Sequence, residues 1–293
     1  MKIEILSSKI IDGVISASGL VKARDKYYVI SDDAPFLYTL DDNYDVISQL
    51  PIFTIDASFT SRIEKSEKPD FEALDIVDDN EIIAFGSGSK SPERDVFLRI
   101  FIKGKKEIKT YQISEFYTHL KNLEVMENRE LNIEAVAYKD GQIFIFNRGQ
   151  NVVFGFVFKE LISYFEGNIP FPTPRTKLFQ LPNIRGIRAG FSGATALKEH
   201  PYIIFTASVE DTPNAYDDGE VLGSFIGILK IEDDFISSEF QTVLFPTVEK
   251  LKVESVIIKQ EVELGETHIV VVTDDDYKDS LIIECKIWWE SFI

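Results

Sequence analysis

Three glutamates, Glu72, Glu134 and Glu254, open apolar runs in the same way. DFEALDI (70–76), NIEAVAY (132–138) and KVESVII (252–258) each place a carboxylate, a small residue and then an aliphatic one. Two runs carry a hydroxyl in the same phrase: ASGLVKA (17–23) through Ser18 and GATALKE (193–199) through Thr195. Carboxylates and hydroxyls are hard oxygen ligands, a set that suits calcium better than zinc. Without a cation, converging carboxylates repel and their pKa values rise.

The spacing says which elements must hold these residues. Successive slots are 54, 62, 61 and 59 residues apart, and the path from Glu254 through both termini to Ser18 adds 57. A period of this size that closes on itself is the signature of a propeller. Each unit reads as a short strand, a turn, a second strand ending in polar or Gly-rich residues, a third apolar strand and a candidate fourth. Lys139-Asp140-Gly141 supplies a tight hairpin turn, because Asp-Gly tolerates positive φ. The expected fold is all-β: a single β-propeller domain over residues 1–293 with five four-stranded blades. A sixth blade hidden in a long connection is the alternative. The fifth unit lacks a fourth strand, and the N-terminal run KIEILSSKII is expected to pair into that last blade and close the ring. SEFYTHLKNLEV (114–125) and KELISYFEG (159–167) have the apolar spacing of short helices.

First strands line the channel of a propeller, so Ser18, Glu72, Glu134, Thr195 and Glu254 are expected to face one another as a metal-binding ring. The second strands end in a further polar set, which includes Asp32, Arg148, Asp274 and Asp275. Both sets belong to one mouth of the channel, the expected small-molecule site. There a carboxylate such as Asp32, Asp274 or Asp275 is placed as general base, and Arg148, with Arg188, to grip an anionic group or to neutralise a carboxylate. No nucleophile elbow occurs, and His119, His200 and His268 lack ligand spacing.

Composition narrows the partners. The 49 acidic residues outnumber 31 basic ones, and no Lys/Arg stripe tracks a phosphate backbone, which argues against nucleic acid. The lone Cys285 sits in the apolar run LIIECKIWW and reads as a buried hydrophobe. The start lacks an apolar leader core and no apolar run reaches ~18 residues, so the expectation is a soluble, cytoplasmic protein with no membrane partner.

SGL (18–20), PDFEAL (69–74), NIEAV (132–136) and KVESV (252–256) resemble the blade openings of bacterial phytase-like and SdiA-regulated-like β-propellers. More distantly, they are similar to calcium-dependent gluconolactonase-type propellers. The stretch ALDIVDDNEIIAFGSGSKSPERD looks like an uncharacterised bacterial subfamily of that group. The resemblance implies an axial calcium held by Glu72, Glu134 and Glu254. Ser18 and Thr195 stand where that pattern has acids, and no dense basic cluster suits a polyphosphorylated substrate. Two functions stay open: a metal-dependent hydrolase of a small ester, lactone or phosphoester, or a non-catalytic ligand- or protein-binding propeller with a structural metal or none.

Overall fold

The computed structural model describes residues 1–53, 62–104, 106–212, 219–247, 250–274 and 278–292. Strand β1 (Lys2–Ile15) precedes the first blade, formed by β2 (Ala17–Ala23), β3 (Lys26–Ser31), β4 (Phe36–Leu40) and β5 (Val46–Pro51). The second blade is β6 (Phe71–Asp78), β7 (Glu81–Gly86), β8 (Val96–Phe101) and β9 (Glu107–Gln112); α1 (Ser114–Lys121) follows. The third is β10 (Ile133–Lys139), β11 (Gln142–Asn147), β12 (Val152–Val157) and β13 (Arg175–Leu178), with α2 (Phe158–Phe165) between its last two strands. A hairpin of β14 (Asn183–Ile184) and β15 (Ile187–Arg188) leads into the fourth, β16 (Gly190–Ala196), β17 (Tyr202–Asp211), β18 (Glu220–Glu232) and β19 (Phe235–Leu244). The last blade is β20 (Lys252–Glu263), β21 (Glu266–Asp274) and β22 (Asp279–Trp288), and β1 pairs with β22 as its outer strand. The ring is a five-bladed propeller closed by the N-terminal strand.

Middle strands are buried on both faces because each blade is packed between two others. They therefore read as unbroken apolar runs, such as QIFIFN in β11 and EIIAFG in β7, whereas the outer β9 is largely exposed. Five apolar clusters fill the five junctions. Val21 and Ile30 meet Leu74 and Ile82, and Phe85 meets Val136 and Ile145. Phe146 meets Phe191, Ile204 meets Val256, and Ile257 and Val270 meet Leu20, which completes the circle. Both helices lie on the junction of the second and third blades, where Phe116, Leu120, Leu161 and Ile162 extend its core. Asp140 and Gly141 adopt φ of 49° and 86°, the left-handed pair that the tight turn requires.

Every innermost strand carries a β-bulge at the same place. Pairing skips Ser18, Glu72, Glu134, Ser192 and Glu254. In a radial blade, regular strand residues point at the two adjacent blades, so a bulge re-aims one side chain along the strand edge, toward the axis. Thr195 is not the ring position of the fourth blade. It pairs regularly with Ile204, three residues past the Ser192 bulge. Cys285 is fully buried, as its apolar run implies, and burial pushes its thiol up to about 12. No helix among the described residues is long and apolar enough to cross a membrane.

Candidate functional site

The two serine bulges act as staples between blades. Ser18 Oγ donates to the Phe71 carbonyl at 2.6 Å, and Ser192 Oγ donates to the Val253 carbonyl at 2.6 Å. In each case the acceptor precedes the bulged glutamate of the next blade. The three glutamates remain directed at the channel.

Two residues before each bulge lies a second ring that sequence reading missed: Ser16, Asp70, Asn132, Gly190 and Lys252. Two of its members serve the glutamates, while Asp70 repels Glu72. Asn132 Nδ2 donates to Glu134 Oε1 at 2.6 Å, and Lys252 Nζ stands 3.0 Å from Glu254 Oε1. Gly190 contributes space instead, since a Cβ there would fall 2.4 Å from Arg148 Cγ. Arg148 uses that space to reach Glu134 at 3.4 Å and Glu210 at 3.1 Å. The signal was present in the sequence as the paired phases D-F-E, N-I-E and K-V-E.

The mouth divides into two ionic groups. In one, Lys68 pairs with Asp32, with Asp33 at 3.3 Å and with Asp70 at 3.1 Å. Arg62 pairs with Asp33. Arg94 Nη1 and Ser87 Oγ each donate to Asp70 Oδ2 at 2.5 Å. In the other, Arg148 and Lys252 serve Glu134, Glu210, Glu254 and Asp274, the last at 3.5 Å from Lys252. The first group balances three acids with three bases, and the second sets two bases against four acids.

Glu72 lies between them and makes no hydrogen bond or ion pair among the described residues. Burial first, then repulsion from Asp70, Glu134, Asp32 and Glu254, pushes its carboxyl well above the ordinary range. Burial likewise raises Asp32 to about 7, against the pull of Lys68, and Glu254 to about 8, against that of Lys252. Glu254 is 3% exposed and its Oε2 has no hydrogen-bond partner among the described residues; Asp32 Oδ1 is likewise unpartnered. One oxygen each from Asp32, Asp70 and Glu72 lies within 4.8 Å of the others, close enough to share an ion.

The structure thus brings Asp32, Glu72, Arg148, Glu134, Glu254 and Asp274 to one mouth. Thr195 lies farther along its strand, Arg188 is exposed on the β14–β15 hairpin, and Asp275 lies outside the described residues. The Gly86–Ser89 run cradles no phosphate. A Cβ on Gly86 would sit 2.5 Å from the Arg94 carbonyl and 2.6 Å from that of Pro69, so it is a backbone crossing. His119 stacks on Phe171 with ring centroids 4.4 Å apart.

A family model described as a family of unknown function, DUF6929, matches residues 13–287. The chain belongs to this family. No curated protein matches it in sequence. Among solved structures, a glutaminyl cyclase from Myxococcus xanthus is similar over 98% of this chain and 97% of its own, with 9% identity and a TM-score of 0.53. The β-propeller domain of Cps50 (Swd1) from Myceliophteria thermophila has 7% identity and a TM-score of 0.42, over 98% of this chain and all of that one. Identities this low speak to the DUF6929 member's fold alone.

Proposed function

We propose that the acidic mouth binds a divalent cation, calcium by its all-oxygen donor set, through Glu72 with Asp32 and Asp70, backed by Glu134 and Glu254. We further propose that a small ester, lactone or phosphoester is hydrolysed there. Glu72 carries the reading: a carboxylate with no direct ion pair among the described residues, felt by Lys68 and Arg148 only at longer range and wedged between two ionic groups whose joint charge is already negative. Such a residue costs stability unless a ligand neutralises it. Calcium, when bound, would supply polarisation of a substrate oxygen. Asp274, close enough to Asp32 to act on it and outside the proposed ligand set, would take a proton from water as the water oxygen adds to the carbonyl or phosphoryl centre, and return it to the leaving oxygen as the ester bond breaks. The basic residues of the mouth, Arg62, Lys68, Arg94, Arg148 and Lys252, are each paired with carboxylates, which argues against a phytase-type polyphosphate substrate.

A specific observation favours the second reading, a structural cation in a non-catalytic binding propeller. Lys68, Arg148 and Lys252 are all committed to carboxylates, which leaves none of them to hold an anionic substrate. Melting curves with calcium and with chelator, followed by an esterase, lactonase and phosphatase panel, test both readings. The hydrolase reading expects a calcium-dependent melting shift and turnover lost in Asp274→Asn. A shift without turnover leaves the structural cation, and no shift with no metal on elemental analysis rejects the cation altogether.

A further inference from the structure

The channel has an opposite mouth, where the innermost strands end. A cavity of about 670 Å³ opens there, within the ~300–1,000 Å³ typical of small-molecule sites. Three residues past each bulge the blades contribute an equivalent layer: Val21, Asp75, Ala137, Thr195 and Ile257. All but Ala137 line the cavity. Val21 and Ile257 give it apolar wall, and the polar groups come from the second and fourth blades.

Those two polar groups are incompletely used. Asp75 is 5% exposed, and its Oδ2 accepts the Tyr138 N–H at 2.6 Å, a bond that also ties β6 to β10. Burial pushes this carboxyl up to about 7; backbone N–H groups oppose the rise, and no side-chain cation contributes. Thr195 is 8% exposed, and its hydroxyl makes no hydrogen bond among the described residues. Of the five basic residues lining the cavity, Lys198 is exposed and stands 4.0 Å from Asp79, Arg24 Nη2 donates to Asn80 Oδ1, and Lys22 lies over the Tyr27 ring. Lys259 Nζ is 2.5 Å from Glu284 Oε1, and Lys139 Nζ bonds the Lys198 carbonyl and stands 3.4 Å from Asp140.

We propose that this mouth is a binding site for a small organic amine. Asp75 takes the protonated nitrogen, the Thr195 hydroxyl accepts a further hydrogen bond from the ligand, and Val21 and Ile257 cover its hydrocarbon part. A hard metal ion would need several oxygens where this layer offers one carboxylate. An anion would meet Asp75 as a repulsive neighbour, and a neutral ligand would leave a buried carboxylate without the charge-assisted bond that an ammonium group supplies.

The test is a titration of the full chain with n-butylammonium chloride, followed by NMR or calorimetry, beside n-butanol and sodium butyrate. Saturable binding of butylammonium alone is expected. Asp75→Asn keeps an oxygen for the Tyr138 N–H and should weaken binding about tenfold or more, as expected for loss of a charge-assisted contact. Thr195→Val should weaken it by a few-fold and carries the test if melting curves show Asp75→Asn misfolded. Glu72→Gln, at the acidic mouth, should leave butylammonium affinity unchanged. The proposal is overturned if butanol or butyrate binds as well, if nothing saturates, if both lower-mouth variants bind normally, or if affinity falls only in Glu72→Gln.

Discussion

At the residue scale, Glu72 differs from its two counterparts by what it lacks. Glu134 has Asn132 and Arg148, and Glu254 has Lys252, while Glu72 faces four other carboxylates with no donor of its own among the described residues. Glu72→Gln retains the shape and removes the charge. In chelator this variant should melt higher than the parent, because an uncompensated partly buried charge costs on the order of 1–3 kcal/mol. For a domain of this size that is roughly 2–4 °C per kcal/mol. Calcium should then add little. A lower melting temperature in chelator, or an undiminished calcium shift, would show that Glu72 is neither strained nor a ligand.

At the element scale, the bulge unites the ring, and it explains what the sequence did and did not disclose. The period, the five blades, the closing N-terminal strand and both short helices were readable, because each depends on local apolar rhythm and turn chemistry. The phase of the fourth blade was not. F-S-G-A at 191–194 and A-T-A-L at 194–197 both read polar, small, aliphatic or small, and only the pairing of β16 with β17 shows that Ser192 is the residue skipped. Lys68 and Arg94 were invisible for another reason. They come from connecting segments and act across blades, which no repeat encodes. The Ser192 assignment has a direct consequence: Ser192→Ala leaves the Val253 carbonyl without its buried donor and should cost about 1–3 kcal/mol in urea unfolding. An unchanged denaturation midpoint would remove the staple from the account.

At the scale of the whole molecule, the propeller gathers eight acids against five bases at one mouth of its axis, while the chain as a whole carries −18. The pH dependence of stability follows from the direction of the shifts. Asp32 moves from 3.8 to about 7 and Glu254 from 4.5 to about 8, so the fold favours their protonated forms. The stability they contribute is complete below their unfolded values and is lost as pH climbs through 7 and 8. Asp75, raised to about 7 at the opposite mouth, adds to the same trend. The acids with lowered values away from the channel, Asp41, Glu220, Glu232, Glu266 and Glu284, act below about pH 4.5 and do not oppose it in this window. In chelator the melting temperature should therefore fall from about pH 5 to about pH 8 and level off above it. Calcium should flatten the upper half of that curve, since a bound cation stabilises the carboxylates in the form that high pH imposes. The double variant Asp32→Asn, Glu254→Gln should lose most of the slope without calcium. A melting temperature that stays level or rises with pH in chelator would mean that water or a mobile counter-ion already neutralises the axis, and the unpaired ring would then be no ligand site.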